Sequence, residues 1–319
     1  MANYLVTGIA GFIGSAVARA LLQQGHQVTG VDNLTTGYRD NVPAGAAFIK
    51  ADCQDAALYD TVLPRTPFDA IFHIAGQSSG EVSFDDPAYD LRTNTESTLH
   101  LLRFARRTGC TRLIYASTMS VYGCQPDEPV HETAPAAPLS FYGVGKLASE
   151  HYLRLHEQFG IRSTALRLFN VYGHGQNMDN MRQGMVSIFM AMMLRNGHIH
   201  VKGSPERYRD FVHIDDVVRA FLLCLGQQRS HGEVINIAGS GRVTVGQLVE
   251  ELRALHPAPV TVEFSGCTAG DMHGIHADKD KARTVLGYTP QVSLRQGLED
   301  MYRRTAPLLT RHHGAENAS

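Results

Sequence analysis

Three glycines near the amino terminus constrain the fold of this chain more than any other feature. Gly8, Gly11 and Gly14 lie between an apolar run, Tyr4–Thr7, and a helical pattern that begins at Phe12. Glycines at this spacing permit a sharp turn from a strand into a helix and a close approach of the two elements. The segment therefore predicts the first strand–helix unit of an open α/β sheet.

The rest of the first half alternates apolar, β-rich runs with helical patterns. Helices are predicted over Phe12–Gln24 and Asn94–Arg107, where apolar residues recur at helical spacing. Further strands are predicted at Val28–Val31, Ala47–Ile49, Ala70–Ile74 and Leu113–Ala116. Each is apolar on both faces, as parallel strands covered by helices are. The alternation predicts a Rossmann-type, doubly wound parallel sheet with right-handed crossovers.

This alternation loosens after about residue 170. A Met-rich helix is predicted at Met185–Leu194, and Asp215–Leu225 and Val234–Ile237 are predicted to be a helix and a strand that return to the sheet. The region Val243–Leu309 is expected to hold two or three short elements. We therefore expect a dinucleotide-binding domain (residues 1–170 and about 211–240), a smaller α/β domain that caps a cleft (about 171–210 and 241–310) and a flexible tail, 311–319.

Composition and charge exclude several classes of partner. The 319 residues are 43% hydrophobic and 19% charged, and the net charge is −2 without a long run of either sign. A surface that coats nucleic acid or binds anionic membranes is therefore not expected. No signal peptide or apolar run long enough to cross a bilayer is found. The five cysteines are scattered and odd in number, which favours reduced thiols and a cytoplasmic location. The sixteen histidines form no HExxH or Cys/His pattern, so no catalytic metal is predicted.

The glycine turn predicts a dinucleotide site because the following helix offers free N–H groups and a positive dipole to phosphates. Asp32 closes the second strand 18 residues after Gly14, and a carboxylate there accepts from both ribose hydroxyls but repels a 2′-phosphate. NAD is therefore preferred over NADP. The alternative is a turn that serves only chain reversal. Asp52, which ends the third strand, is a candidate for the adenine amine or a solvated loop acid.

A catalytic pair is predicted in the segment SFYGVGK. Tyr142 and Lys146 are four residues apart, so on a helix both side chains lie on one face. A free tyrosine has a pKa near 10, and a nearby ammonium and an oxidised nicotinamide both lower that pKa. Upstream, Ser117 and Thr118 end the fifth strand, where an open α/β sheet binds its ligands. A hydroxyl in this place is expected to face the cleft.

These motifs together resemble the extended short-chain dehydrogenases/reductases, specifically the NAD-dependent nucleotide-sugar epimerase/dehydratase family. The resemblance extends to LRLFNVYG (Arg167–Gly173), RDFVHIDDV (Arg209–Val217) and AGD (Ala269–Asp271). It implies that Thr118 binds the reacting sugar oxygen, that Tyr142 is the general acid/base and that Lys146 binds the nicotinamide ribose. The residues expected to bind NAD are Gly8, Gly11, Phe12, Ile13, Gly14, Asp32, Asn33, Asp52, Cys53, Ala75, Gly76, Gln77, Asn94, Tyr142 and Lys146.

The resemblance also implies a substrate end of the site. Asn170, Arg209 and Asp271 match positions that hold the nucleotide diphosphate or its ribose, although Arg209–Asp210 could instead be a local salt bridge. Glu81, Ser83 and Phe84 are candidates for contacting the sugar. The residues expected to bind substrate are Glu81, Ser83, Thr118, Asn170, Val186, Lys202, Arg209 and Asp271. His73, in the predicted fourth strand, and Tyr172, in the LRLFNVYG motif, could either belong to the site or be core residues.

Two departures from the family pattern bear on the chemistry. Members that remove water from the sugar carry an Asp-Glu pair after the threonine, whereas this chain has Met119 and Ser120, so epimerisation at C4 through a 4-keto sugar is expected. Members often place an arginine at the position of Thr268, so Lys202, Arg207 or Arg242 could replace it; UDP is the default nucleotide. A 4-ketoreductase, a decarboxylase, an epimerase at another carbon and a non-catalytic NAD sensor remain alternatives.

The resemblance further implies a homodimer. Its interface would be a four-helix bundle formed by the Asn94–Arg107 helix and the helix after Tyr142. Leu147, His151 and Leu155 are expected on the second helix's interface, although burial within one subunit explains them equally well.

Overall fold

The computed structural model describes residues 1–266 and 272–316, and twelve strands are assigned in this part of the chain. In chain order they are β1 (Asn3–Thr7), β2 (Gln27–Asp32), β3 (Ala47–Lys50), β4 (Ala70–His73), β5 (Arg112–Thr118), β6 (Arg162–Leu168), β7 (Asn170–Tyr172), β8 (His198–Lys202), β9 (Tyr208–His213), β10 (Glu233–Ile237), β11 (Arg242–Thr244) and β12 (Thr261–Ser265).

Seven of these strands form one sheet in the order β10-β6-β5-β4-β1-β2-β3, and every neighbouring pair is parallel. The strand order reverses between β1 and β4, which is the place where a doubly wound sheet opens a crevice at its carboxyl edge. The predicted Rossmann-type sheet is therefore confirmed, and the site is expected beside the ends of β1 and β4.

Eight α-helices of at least five residues connect and cover the strands. They are α1 (Phe12–Gln23), α2 (Pro87–Leu91), α3 (Ser97–Thr108), α4 (Phe141–Leu155), α5 (Met185–Asn196), α6 (Ile214–Gly226), α7 (Val245–Leu255) and α8 (Leu294–Glu316) within the described residues. Short helical turns lie at Arg39–Asn41, Leu58–Val62, Val82–Phe84, Arg92–Glu96, Met119–Val121, His156–Phe159, Gln228–Ser230 and Ala282–Leu286.

Apolar side chains fill both sides of the large sheet. Val17 and Leu21 of α1 pack with Phe221 of α6 on one face, and Leu101 of α3 packs with Leu153 of α4 on the other. All five are at most 1% exposed. Burying both faces explains why the strands read as continuous apolar runs rather than alternating ones.

Two small sheets lie apart from the large one in the strand pairing. β9 pairs with β7 in parallel and with β11 antiparallel, while β8 and β12 form a parallel pair. A third apolar cluster joins them to α5, α7 and α8 through residues such as Met193, Leu248 and Met301. The proposed division into a cofactor domain and a substrate domain stays a prediction.

The carboxyl-terminal helix is longer than the short elements expected there. α8 continues through Pro307 to Glu316, so residues 311–316 are helical where the sequence analysis expects a flexible tail, and 317–319 lie outside the described residues. Pro307 and the polar residues after it resemble a helix end in sequence because proline disfavours a helix interior.

Candidate active site

A cleft with a volume of about 300 Å³ opens at the carboxyl edge of the large sheet. Among the residues predicted to bind the cofactor, its lining contains Gly8, Gly11, Phe12, Ile13, Gly14, Asp32, Asn33, Asp52, Cys53, Ala75, Gly76 and Gln77. A second wall, which the sequence analysis missed, comes from the loop before α5 and includes Gly175, Gln176, Asn177, Asn180 and Gln183. Twelve of the fifteen residues predicted to bind NAD thus line one crevice, whereas Asn94, Tyr142 and Lys146 are not part of its lining.

The glycine turn gives this cleft a floor made of backbone. Gly8 adopts a positive φ of +75°, which L side chains rarely adopt. A Cβ on Gly14 would lie 2.0 Å from the carbonyl oxygen of Gly8, so only glycine lets α1 approach the turn this closely. Gly11 caps α1 without a side-chain hydrogen bond. The first turn of α1 therefore keeps its dipole and N–H groups for an anion such as a pyrophosphate.

Two aspartates mark the other end of the cleft floor. Asp32, 8% exposed, accepts hydrogen bonds from the backbone N–H of Ala10 at 2.9 Å and of Leu34 at 2.8 Å. Asp52 accepts from the side-chain amides of Asn33 at 2.8 Å and Gln54 at 3.0 Å. Both carboxylates are held in place by donors, so their negative charge is fixed at the lining. The negative charge of Asp32 would repel a 2′-phosphate placed beside it.

The turn after β4 forms the opposite wall. The hydroxyl of Thr7 accepts hydrogen bonds from the backbone N–H groups of Ile74 and Ala75, both at 3.1 Å. His73 is fully buried, with one ring nitrogen 2.9 Å from the hydroxyl of Thr7 and the other 3.0 Å from that of Thr98. Of its two proposed roles, the structure places His73 as a satisfied core histidine that fixes the turn.

Gly76 brings the cofactor cleft and the predicted catalytic residues together. A Cβ at this glycine would lie 2.4 Å from Oδ1 of Asn94 and 3.3 Å from Nζ of Lys146. That Oδ1 is buried and has no hydrogen-bond partner among the described residues. Glycine lets the backbone pass this close to a free acceptor and an ammonium, and because Gly76 lines the cleft, both groups lie beside the end where a nicotinamide ribose is expected.

The helix α4 carries the predicted catalytic pair at its amino-terminal end. Ser140 caps it by accepting a hydrogen bond from the N–H of Gly143 at 3.2 Å. Tyr142 and Lys146 are buried one turn apart, and Nζ of Lys146 lies 5.9 Å from the centre of the Tyr142 ring. The same Nζ donates to the carbonyl oxygen of Ala116 at 3.0 Å, which ties it to β5. The predicted i, i+4 pair therefore shares one pocket.

Thr118 completes this group from the end of β5. Its hydroxyl oxygen accepts from the N–H of Ser120 at 3.1 Å, while its hydrogen bond to Tyr142 lowers the pKa of that phenol. Burial nevertheless dominates and raises the pKa of Tyr142 to about 12. It also lowers the pKa of Lys146 to about 8. The expected reduction of the tyrosine pKa by Lys146 is thus not seen in the protein alone: burial raises the pKa of Tyr142, and its hydrogen bond with Thr118 is the contact that lowers it.

Ser117 does not face the cleft, contrary to the expectation for a hydroxyl at this strand end. Its hydroxyl donates to Glu150 of α4, and Arg167 of β6 donates to both carboxylate oxygens of Glu150 at 3.0 and 2.7 Å. Thr118 lies beside Tyr142 at the start of α4, while Ser117 contacts Glu150 about two turns further along the same helix and joins a buried ion pair. This pair anchors α4 against the sheet.

The residues predicted for the substrate end are more dispersed, and among them only Thr118 lies in the catalytic group. Arg209 is 3% exposed, and its guanidinium donates to the carbonyl oxygens of Tyr208 at 2.7 Å and Met272 at 3.0 Å. Asn170 has a buried Oδ1 without a hydrogen-bond partner among the described residues. Asp271 lies outside the described residues. Asp210 accepts from backbone N–H groups of Gly239 and Gly241.

The remaining candidates for the substrate do not line the cleft. Glu81 lies 3.8 Å from Arg182 in an ion pair, and Ser83 is fully buried and donates to the carbonyl oxygen of Gly80. Val186 packs in the third apolar cluster, and Lys202 is exposed at the end of β8. Their contacts with a substrate stay predictions.

One cluster within the described ranges could hold a metal ion, with ligand atoms of His174, His213 and Asp300 within 4.8 Å of one another. Asp300, however, accepts hydrogen bonds from Arg303 at 2.6 Å and from Arg304 at 3.0 and 2.9 Å. Both of its oxygens are thereby used, and two positive charges oppose a cation. We therefore assign this cluster a structural role, in which it holds α8 against the end of β9.

A family model described as the NAD dependent epimerase/dehydratase family matches residues 4–238. The chain belongs to this family. A UDP-glucose 4-epimerase of Mycolicibacterium smegmatis is 35% identical over 301 residues, which cover 92% of this chain and 95% of that protein. The family assignment, the Rossmann-type fold and the dependence on NAD predicted from the sequence are confirmed.

Solved structures of family members agree closely with the fold. A UDP-glucose 4-epimerase of Thermotoga maritima, solved with UDP-glucose, is 36% identical, has a TM-score of 0.90 and matches over 96% of this chain and 99% of that one. A UDP-glucuronic acid 4-epimerase of Bacillus cereus, solved with UDP-glucuronic acid and NAD, is 31% identical with a TM-score of 0.86 and the same coverage. As for membranes, none of the helices described here is both long and apolar enough to cross one.

Proposed function

We propose that this NAD-dependent enzyme of the nucleotide-sugar epimerase family inverts a UDP-hexose or a related UDP-sugar at C4. The observation that carries the proposal is the group of Thr118, Tyr142 and Lys146, buried together beside the Gly76 end of the cofactor cleft. Its relatives support the choice of C4, since those named above are 4-epimerases.

The residues of this group have separate tasks in the proposed reaction. NAD⁺ held in the cleft would supply reversible hydride transfer at C4. Tyr142 takes the proton of the 4-hydroxyl and later gives it back, and the hydroxyl of Thr118 holds the same sugar oxygen. Lys146 supplies positive charge that favours the phenolate. Since burial raises the pKa of Tyr142 to about 12, the positive charge of the oxidised nicotinamide is needed before the phenol becomes a base near neutral pH.

Removal of water from the sugar is disfavoured by the side chains next to Thr118. Met119 is half-buried and apolar, and Ser120 lies in the same helical turn. Neither side chain exchanges protons near neutral pH. The family's dehydratases carry an Asp-Glu pair here, so this site has the acid/base for oxidation at C4 but lacks a second one for elimination.

The nucleotide end is proposed to bind the diphosphate, leaving the sugar free to rotate between hydride transfers. Binding energy from a remote group can support chemistry at the reacting centre. The proposed contacts with the diphosphate are Asn170 of β7, Arg209 of β9 and Asp271. We propose that residues 171–210 and 241–310 form this substrate domain and that 1–170 and 211–240 form the cofactor domain.

We also propose a homodimer built through α3 and α4. The outer face of α4 exposes Phe141, Val144, Tyr152 and Leu155, which are 46%, 51%, 37% and 60% exposed. Their spacing places them on one side of the helix, and exposed apolar patches mark interaction surfaces. Leu147 is half-buried and packs inside the subunit instead. A monodisperse monomer in light scattering at micromolar concentration would contradict the dimer.

A cytoplasmic location is proposed from the thiols. Cys53, Cys110, Cys124 and Cys224 are free, and three of them are buried. Unpaired thiols persist in reducing compartments.

The experiment that tests this function is incubation with a panel of UDP-hexoses, UDP-N-acetylhexosamines and UDP-uronates in D₂O, followed by NMR of the sugar. A 4-epimerase that returns the hydride gives the C4 epimer without solvent deuterium and without net reduction of NAD⁺. Deuterium at another carbon would indicate epimerisation there, and loss of CO₂ from a uronate would indicate a decarboxylase. Stoichiometric reduction of added NAD⁺, with formation of a 4-keto sugar, would indicate a ketoreductase. Any of these three results, or no turnover, would overturn the proposal.

A further inference from the structure

A buried carboxylate lies beside the catalytic pair but takes no part in the proposed reaction. Asp90 of α2 is 1% exposed, and its Oδ1 accepts hydrogen bonds from the side-chain amides of Gln77 at 2.9 Å and Asn94 at 3.1 Å. Its Oδ2 is buried without a hydrogen-bond partner among the described residues. Burial raises the pKa of Asp90, whereas the hydrogen bond from Gln77, the charge of Lys146 and the hydrogen bond from Asn94 lower it. These neighbours therefore offset part of the cost of removing the carboxylate from water.

Oδ1 of Asp90 accepts from both amides and so holds each in one orientation. Because this oxygen is an acceptor, the NH₂ group of Asn94 points towards Asp90. The amide oxygen of Asn94 then points the other way, towards Gly76 and Nζ of Lys146, where it is buried. The amide of Gln77, which lines the cleft, is held by the same oxygen of Asp90. Asp90 thus determines which atoms the protein presents at this end of the cofactor cleft.

The close packing of α2 on α4 brings this carboxylate next to the catalytic helix. A Cβ on Gly145, the residue before Lys146, would lie 3.4 Å from Oδ2 of Asp90 and 3.3 Å from the hydroxyl of Thr95. That hydroxyl donates to the carbonyl oxygen of Gly145 at 3.1 Å. The two helices thus pack closely at Gly145, and the charge of Asp90 raises the pKa of the buried ammonium of Lys146.

We propose that Asp90 is a positioning residue of this site, whose buried carboxylate orients the amides of Gln77 and Asn94 and supplies the counter-charge of Lys146. The inference rests on the proposed roles of Tyr142 and Lys146. It differs from them in that Asp90 acts through its neighbours and need not touch the sugar or the cofactor.

The other groups around Lys146 do not replace this counter-charge. They are Glu150 on its own helix, His73 of β4, and the rings of Tyr115 and Tyr142. Glu150 is already paired with Arg167 of β6. His73 is neutral near pH 7, since burial lowers its pKa to about 3. The phenols are neutral in the free protein because burial raises the pKa of each.

The sign of the expected pH effect follows from this arrangement. A negative charge at position 90 favours the protonated form of both neighbours, so it raises the pKa of Lys146 and that of Tyr142. Replacing it with a neutral group lowers both. Activity that requires Tyr142 deprotonated and Lys146 protonated would therefore keep its bell shape and move as a whole to lower pH.

The test compares Asp90→Asn with Asp86→Asn, a neighbouring acid that caps the same helix from an exposed position. In Asp90→Asn we expect lower turnover and both limbs of the kcat/KM profile displaced to lower pH by about one unit, the size of shift that a nearby charge produces. Asp86→Asn should leave both limbs in place. Unmoved limbs in Asp90→Asn, whatever its turnover, would show a purely structural role and overturn the inference.

A second readout separates this inference from the proposed function. The positive nicotinamide lowers the pKa of both neighbours, so NAD⁺ binding releases protons in a window of pH that calorimetry in buffers of different ionisation enthalpy can measure. We expect this window to lie lower in Asp90→Asn even if no UDP-sugar is turned over. Asp90→Glu keeps the charge and should release protons in the same pH window as the wild type. This variant provides the test if Asp90→Asn does not fold, and a displaced window in Asp90→Glu would contradict the inference.

Discussion

The cofactor cleft and the substrate end of the site are built from different parts of the chain. The cleft is made largely of backbone: the glycine turn after β1, the first turn of α1 and the turn after β4. The predicted substrate contacts are side chains from separate segments, such as Asn170 on β7, Val186 on α5 and Lys202 on β8.

This difference separates what the site must keep from what it can change. Backbone donors bind a phosphate whatever the neighbouring side chains are, and glycines protect that geometry because any larger residue would collide. Side-chain contacts from loops and helix ends can be replaced one at a time. A constant NAD site can therefore support different sugars, and the two regions should respond differently to mutation.

Tyr142→Phe should produce the largest effect, since the two regions meet at this residue. The ring is kept but the proton acceptor is lost, and general acid–base catalysis contributes about 10²- to 10⁴-fold in rate. We expect kcat to fall by that factor in the UDP-sugar assay. The NAD content of the purified protein should not change, because Tyr142 is not among the residues that line the cofactor cleft. Activity within a few-fold of wild type would contradict the role of Tyr142.

Gly14→Ala should harm the cofactor region specifically. The new Cβ would lie 2.0 Å from the carbonyl oxygen of Gly8, so the backbone of the turn must move. Overpacking costs about 1–3 kcal/mol, and if this falls on cofactor affinity, NAD binds about 5- to 150-fold more weakly. Gly226→Ala is the matched control because nothing lies within 4 Å of its Cβ. Equal NAD affinity in both variants, measured by calorimetry, would contradict the backbone model.

The same difference explains how much of the site the sequence could predict. Gly8, Gly14 and Asp32 are encoded by spacing within one strand–helix–strand unit, and the structure places all three in the lining of the cleft. The second wall, from Gly175 to Gln183, was missed because it is a polar loop without periodicity and reaches the cleft only through tertiary packing.

The burial of the catalytic residues and their neighbours could not be predicted from the sequence either. The i, i+4 spacing of Tyr142 and Lys146 predicted that they share a pocket, but the rise in the pKa of Tyr142 depends on burial by the walls around it. The contact of Ser117 with Glu150 likewise depends on the packing of α4 against β5. The carboxyl-terminal helix was underestimated because the polar residues at its end indicate a tail.

Asp32→Asn should produce an intermediate effect and test the basis of cofactor choice. Removing the charge removes the repulsion of a 2′-phosphate, so the preference for NAD over NADP should fall by about tenfold, the scale of one hydrogen bond to a charged group. Asp52→Asn neutralises the other acid of the lining and should leave this preference unchanged. Competitive binding of the two dinucleotides measures it. An unaltered ratio in Asp32→Asn would assign the preference to another residue.

Arg242→Gln should have the smallest effect, on the substrate region alone. Arg242 lies opposite Asp210 in the β9–β11 pairing, next to Arg209, and its Nη1 donates to both carboxylate oxygens of Asp127 at 2.8 Å. Both partners are exposed, so breaking the pair should hardly change the melting temperature. If Arg242 replaces the arginine that family members carry at the position of Thr268, KM should rise several-fold while kcat is retained.

Asp127→Asn then distinguishes a phosphate contact from a surface ion pair. It releases the guanidinium of Arg242, which stacks 3.9 Å from the centre of the Tyr208 ring and can turn to a diphosphate only by giving up Asp127. A lower KM in Asp127→Asn together with a higher KM in Arg242→Gln requires that Asp127 and the substrate compete for the same cation. If KM changes in the same direction in both variants, or in neither, the diphosphate would instead be neutralised by Lys202 or Arg207. The KM of a Lys202→Gln variant then decides between those two.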